Sequence, residues 1–136
     1  MPKLTTSAPV LLVRDVKASA DYFRDCCGFT YDRFWGDPPG FCMVWRDNLC
    51  IMLKQTAQHD KIIANWTVED CFWDVYFWVD DAEALHDEFV AAGAKIDYGP
   101  CTQDYGCYEF GIQDLDNHDI AFGQDLEAHP RPAPST

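Results

Sequence analysis

The stretch APVLLVRDVKASADYFRDCCG at 8–28 and the stretch WDVYFWVDDAEALHDEFVAAG at 73–93 carry the same signals in the same order. In the first, an alternating apolar run from Ala8 to Val13 reads as a strand and Asp15 stands at a helix N-cap. Val16, Ala20, Phe23 and Cys27 then recur at helical spacing, and Gly28 stops the helix. In the second, Trp73 to Val79 is rich in aromatic and β-branched residues, and Asp80 with Glu83 reads as a capping box. Ala82, Leu85, Phe89 and Ala92 form the apolar stripe and Gly93 ends it. The two stretches hold register: Val13 and Val79, Asp15 and Asp81, and Phe23 and Phe89 are each 66 residues apart, while Gly28 and Gly93, like Asp32 and Asp97, are 65 apart. The chain reads as a duplication.

Working outward, Phe29 to Trp35 and Ala94 to Tyr98 read as second strands. Gly40 and Gly106, again 66 apart, open third strands at Phe41 to Arg46 and Cys107 to Gln113. Fourth strands follow at Leu49 to Lys54 and Asp119 to Gln124, after turns at Asp47-Asn48 and Asp114-Leu115-Asp116-Asn117. The expected class is therefore α+β, with two tandem βαβββ modules at 8–54 and 72–126 in one domain (8–126), joined by a linker at 55–71. The tail at 127–136, with Pro130, Pro132 and Pro134, is expected to be mobile. One helix per module covers one face of its sheet and leaves the other face in need of a partner. Two curved mixed sheets placed together would enclose a cleft.

At 136 residues and 48% apolar, the chain is long enough to bury a core without disulfides or metal. Ten basic against 23 acidic residues give a net charge of −13, which disfavours nucleic acid and anionic membranes and leaves a neutral or cationic small molecule as the natural partner. Residues 1–7 carry neither a secretory pattern nor a span, and seven cysteines without a CxxC pair fit a reducing compartment, so a cytoplasmic location is expected. The three serines lie outside any G-x-S-x-G setting, and no phosphate loop, dinucleotide fingerprint or HExxH occurs.

The duplicated pattern, together with Tyr105-Gly106-Cys107-Tyr108-Glu109-Phe110 running into Asp114-Leu115-Asp116-Asn117-His118, resembles the vicinal oxygen chelate superfamily of glyoxalases, extradiol dioxygenases and bleomycin-resistance proteins. The likeness spans about Ala8 to Leu126, with Leu115 and Asn117 where the family's turn has Pro and Gly. Metal-using members of that family take ligands from matching positions on the first and fourth strands of each half. Carried over, those positions fall on Ala8, Cys50, Asp74 and Ala121. A catalytic divalent ion needs about three protein ligands, and alanine supplies none. The resemblance thus implies a scaffold with its metal site erased, closest to the bleomycin-resistance branch, with no metal or cofactor. It also implies a homodimer whose clefts lie between halves of different chains.

Strand alternation places Asp74, Tyr76 and Trp78 on one face, away from Val75, Phe77 and Val79 beneath the helix. Trp35 and Trp45 add rings, Met52 shares the parity of Cys50, and Trp66 sits in a linker long enough to cross a cleft. Tyr108 and Glu109 are adjacent on a strand, so at most one reaches the cleft. The candidate ligand-binding set is Trp35, Trp45, Cys50, Met52, Asp74, Tyr76, Trp78 and Tyr108. An acid among rings suits a planar or cationic compound. Core packing is the competing role for Tyr76 and Trp78, and a hydrogen-bonded strand-start acid for Asp74. His86, His59 and His129 fall on a wet helix flank, the linker and the tail, and His118 reads as a surface turn residue. The leading functional reading is sequestration of a planar or cationic small molecule. A glyoxalase- or dioxygenase-like enzyme with a variant metal site near Asp74 is the alternative, and a metal-free isomerase using Asp74 and Glu109 is a third.

Overall fold

Asp15, in extended backbone at φ −142° and ψ 104°, accepts a hydrogen bond from the Ala18 amide at 3.0 Å and so starts helix α1 (Val16–Cys27). Gly28, left-handed at φ 71°, ends it by donating its amide to the Phe23 carbonyl. The computed structural model describes residues 1–133; Pro134 to Thr136, the end of the expected mobile tail, lie outside the described residues. Strands β1 (Val10–Val13), β2 (Phe34–Trp35), β3 (Phe41–Arg46) and β4 (Leu49–Gln55) form one sheet in the order β1-β4-β3-β2, with β1 parallel to β4. Val13, Val16, Ala20, Phe23 and Cys27 bury against Cys42, Val44, Ile51 and Leu53. Together with Asp114–Asp116, residues Met1–Ile63 make up the first of two compact units. Within it the Arg14 amide and guanidinium both donate to Asp116 Oδ1 at 3.1 Å.

The second unit, Ala64–Gln113 with the chain from Asn117 on, repeats the plan. Strands β5 (Val75–Trp78), β6 (Lys95–Thr102), β7 (Cys107–Gln113) and β8 (Asp119–Asp125) run in the order β5-β8-β7-β6, with β5 parallel to β8 and helix α2 (Ala82–Ala91) between β5 and β6 in the chain. Its core is aromatic: Phe122 stacks on Phe77 and Phe110 at ring separations of 5.6 and 5.3 Å and meets Phe89 of α2 edge-on at 5.1 Å. The α+β class and the tandem βαβββ plan are therefore as expected.

Three local readings change. Asp81, not Asp80, caps α2, accepting from the Ala84 amide at 3.0 Å; Asp15 and Asp81, 66 apart, cap equivalent helices. Only Phe34–Trp35 of the expected strand from Phe29 pairs as strand. Thr30 makes one isolated bridge to Trp45, and Tyr31 is held to α1 by donating to Asp21 at 2.6 Å. Finally, the segment expected to be mobile from Glu127 is tied down as far as Arg131. The His129 carbonyl accepts from Gln124 Nε2 at 2.7 Å, and Arg131 lies over the Tyr108 ring at 3.7 Å and 3.4 Å from Glu83.

The cap assignment has a direct check. Asp81→Ala should cost about 1 kcal/mol of unfolding free energy in a urea titration, whereas Asp80→Ala should stay within about 0.5 kcal/mol of wild type.

Candidate functional site

On the second sheet, odd-numbered residues of β7 and β8 face away from α2: Glu109 pairs with Gly123, Gly111 with Ala121, and Gln113 with Asp119. The two glycines and the alanine leave a floor low enough for rings to lie on. A Cβ at Gly123 would come 2.6 Å from Tyr76 Cζ, and one at Gly111 would come 2.8 Å from Tyr98 Cδ1. Tyr76 therefore crosses Gly123 and donates to Glu109 Oε1 at 3.0 Å, while Tyr98 crosses Gly111 and donates to Oε2 at 2.5 Å. Tyr105, from the turn before β7, also donates to Oε1. Glu109 itself is 0% exposed. Burial first, and then bonding to and charge from Glu109, raise the Tyr98 and Tyr105 phenols above their ordinary value of 10; for Tyr76 burial is followed by Cys107 and Glu109. All three stay protonated and keep donating.

Over this floor opens a pocket of ≈ 650 Å³. The rings of Trp66, Phe72, Trp73, Tyr98 and Tyr105 line it, and so do the carboxylates of Asp70, Asp97, Glu109 and Asp119. Trp73 Nε1 donates to Tyr98 Oη at 2.9 Å, and its ring meets Tyr76 edge-on at 4.7 Å. Trp66 is placed by a short 3-10 turn at Asn65–Thr67 and donates its indole N–H to the Asn117 carbonyl at 2.7 Å. Asp74 secures that turn. Its Oδ1 accepts from the Asn65 amide at 3.1 Å and its Oδ2 from the Asp119 amide at 3.0 Å.

Asp97 and Tyr98 are consecutive, yet both line the pocket. A regular strand would send them to opposite faces. Pairing steps from Ile96–Ile112 to Tyr98–Gly111, so two residues of β6 oppose one of β7, and this bulge turns both inward. Gln113 Nε2 reaches Asp97 Oδ1 at 3.4 Å. Asp119, at the start of β8, is 5% exposed and its Oδ1 is buried without a hydrogen-bond partner. Burial raises its carboxyl from 3.8 to about 6. Gln113 opposes that rise, and the negative charges of Asp97 and Asp74 add to it.

The expected site residues fall in three places. Asp74, Tyr76 and Trp78 lie on the α2-free side of the second unit, with the Tyr76 and Trp78 rings 4.9 Å apart and Trp78 63% exposed. Trp35, Trp45, Cys50 and Met52 share the α1-free face of the first sheet, where Trp35 opposes Phe41, Trp45 opposes Cys50 and Met52 opposes Met43. Burial pushes the Cys50 thiol up. Tyr108 points to the helix side under Arg131, and it is its neighbour Glu109 that faces the pocket. His118, expected at the surface, is buried at 4% because its turn folds inward ahead of β8. The alternation argument missed Asp97, Tyr98 and Asp119. Asp119 lies two residues before Ala121, on the same face, so counting back along that strand would have found it. No group of three or more His, Cys, Asp or Glu side chains placed to hold a metal ion occurs among the described residues. No helix of the described residues is long and apolar enough to cross a membrane.

Because the folded state raises the Asp119 carboxyl, it favours the protonated form. The stability this group contributes is full below its ordinary 3.8 and is lost as pH rises through about 6. Asp119→Asn should therefore gain on wild type by about 1 to 3 kcal/mol as pH is raised from about 4 to about 7. Parallel stability curves across that range would refute it.

A family model described as Glyoxalase/Bleomycin resistance protein/Dioxygenase superfamily matches residues 6–122. No curated protein matches the chain. Among solved structures, the bleomycin-binding protein from bleomycin-producing Streptomyces verticillus, complexed with copper(II)-bleomycin, is similar at 24% identity and a TM-score of 0.68. That match covers 90% of this chain and 97% of the other. The bleomycin resistance determinant encoded on the transposon Tn5 aligns at 16% identity and a TM-score of 0.70, over 90% and 98%. TnmS3, an antibiotic binding protein from Streptomyces sp. CB03234, aligns at 17% and 0.68, over 92% and 98%. At these identities the structural likeness is one of fold. The family match spans most of the sequence, and the chain belongs to the glyoxalase/bleomycin resistance protein/dioxygenase superfamily.

Proposed function

We propose that the protein binds a planar aromatic or cationic small molecule in the pocket of its second unit and sequesters it without a metal and without chemical turnover. The observation that carries this reading is the lining: five aromatic side chains and four carboxylates around ≈ 650 Å³. Rings give stacking area at low entropy cost, and the acids, within a chain of net charge −13, favour positive charge. The scaffold is compatible with this role, since structures of the same fold are described as bleomycin-binding and antibiotic binding proteins. The metal-free part of this reading is supported by the residues at the family's ligand positions. Ala8 and Ala121 have no donor atoms, and both Asp74 oxygens already accept backbone amides.

Titration with bleomycin, and in parallel with a flat aromatic cation such as 9-aminoacridine, tests the reading through quenching of tryptophan fluorescence. Saturable binding should survive exhaustive dialysis against a chelator. Trp73→Ala should weaken it by about tenfold, as expected for a lost ring contact. Tyr108→Phe, on the opposite face, should leave it within about twofold of wild type. No binding of either compound by folded protein would overturn the assignment.

Pairing of two copies belongs to the same proposal. Val10, Leu12 and Trp45 are 59%, 39% and 38% exposed in the first unit, an apolar surface that a second copy would cover. Sedimentation at micromolar concentration should give a species of twice 15.5 kDa; a monomer under those conditions would remove pairing from the proposal.

A further inference from the structure

Of the acids around the pocket, two have their oxygens in use. Glu109 accepts from the hydroxyls of Tyr76, Tyr98 and Tyr105, and Asp74, just behind the wall, accepts from two backbone amides. Asp119 differs. Its side chain lines the pocket and the residue is 5% exposed; Gln113 and Asp97 bond to its carboxyl, but its Oδ1 is buried with no hydrogen-bond partner. A buried carboxylate oxygen without a donor is costly, and a bound group that donates to the carboxylate would offset that cost. Asp97, brought round by the β6 bulge, stands with it, and no Lys, Arg or His lines the pocket to neutralise either.

Resting on the binding function proposed above, we propose that Asp119 is the anchor for a protonated amine, amidine or guanidine borne by the aromatic ligand. The ligand class is thereby narrowed to aromatic compounds carrying a cation that donates hydrogen bonds. The ring system lies against Trp73 and Tyr98, while an N–H of the cation donates to the Asp119 carboxylate in the pocket wall. A bare metal ion does not suit this place, because the described residues offer no group of three ligands there. A quaternary ammonium does not suit it either. It carries the charge but has no N–H to donate, and so separates this anchor from a purely aromatic cage.

Three probes that share one ring system make the test: 2-(1-naphthyl)ethylamine, its N,N,N-trimethyl derivative and 2-(1-naphthyl)ethanol, titrated calorimetrically at neutral pH into wild type, Asp119→Asn and, as a control outside the pocket, Asp80→Asn, each checked by thermal melting. For wild type the amine should bind about tenfold or more tighter than the alcohol and tighter than the trimethyl compound, the size expected of one charge-assisted hydrogen bond. Asp119→Asn should abolish the preference for the amine while leaving alcohol affinity within about twofold, and Asp80→Asn, outside the pocket, should keep the preference. Equal binding of amine and alcohol, a trimethyl compound as tight as the amine, or a preference that persists in Asp119→Asn would each overturn the anchor while leaving the binding function standing. Failure of all three probes to bind folded wild type at millimolar concentration would also overturn the anchor, and the binding function falls with it only if bleomycin and 9-aminoacridine fail to bind as well. Should Asp119→Asn not fold, the probe series on wild type alone decides.

Discussion

Glu109, without exposed surface, holds its two carboxylate oxygens under the hydroxyls of three tyrosines drawn from three different places in the chain: a strand, a bulged strand and a turn. The pocket depends on that convergence. A buried carboxylate is tolerated only when its lone pairs are filled, so the hydroxyls have to gather around it, and their rings must lie flat on the sheet to do so. The floor lets them, because Gly111 and Gly123 present no side chain where the Tyr98 and Tyr76 rings cross. Trp73 is then fixed in turn by its bond to Tyr98. The aromatic wall is a consequence of how one acid is satisfied.

The same logic sorts the remaining acids by what they do. Asp74 joins the linker to the sheet through two backbone amides, and Asp81 and Asp15 cap helices. Asp116 receives Arg14. Asp119 is left with a buried oxygen and no donor. Net negative charge by itself says little about recognition, since most acids of the chain are exposed or already bonded. A carboxylate oxygen that folding buries without a donor says more, because such an oxygen is costly to leave unbonded.

The ligand positions of the metal-using relatives illustrate how one scaffold serves different chemistry. The strands are kept, and β5 and β8 still pair in parallel with Tyr76 opposite Ala121. At the positions carried over from those relatives this chain has Ala121 on β8, and just before β5 Asp74, whose two oxygens accept backbone amides. The pocket of that unit is lined with rings.

By itself the sequence determined the duplicated α+β plan, the two helices to within a residue of their caps and the acidic, ring-rich character of the chain, because these rest on local periodicity, caps and composition. The equivalence of Asp15 and Asp81 was readable in the 66-residue spacing, and the face on which Asp74 and Tyr76 lie followed from alternation. Tertiary structure alone decided which acid would be satisfied by which hydroxyl and which rings would share a pocket. The β6 bulge breaks the alternation that would have kept Asp97 and Tyr98 apart, and Glu109 meets Tyr76 across 33 residues of chain. Such meetings depend on which strands lie side by side and on the space left by glycine, and neither is written in any local window of sequence.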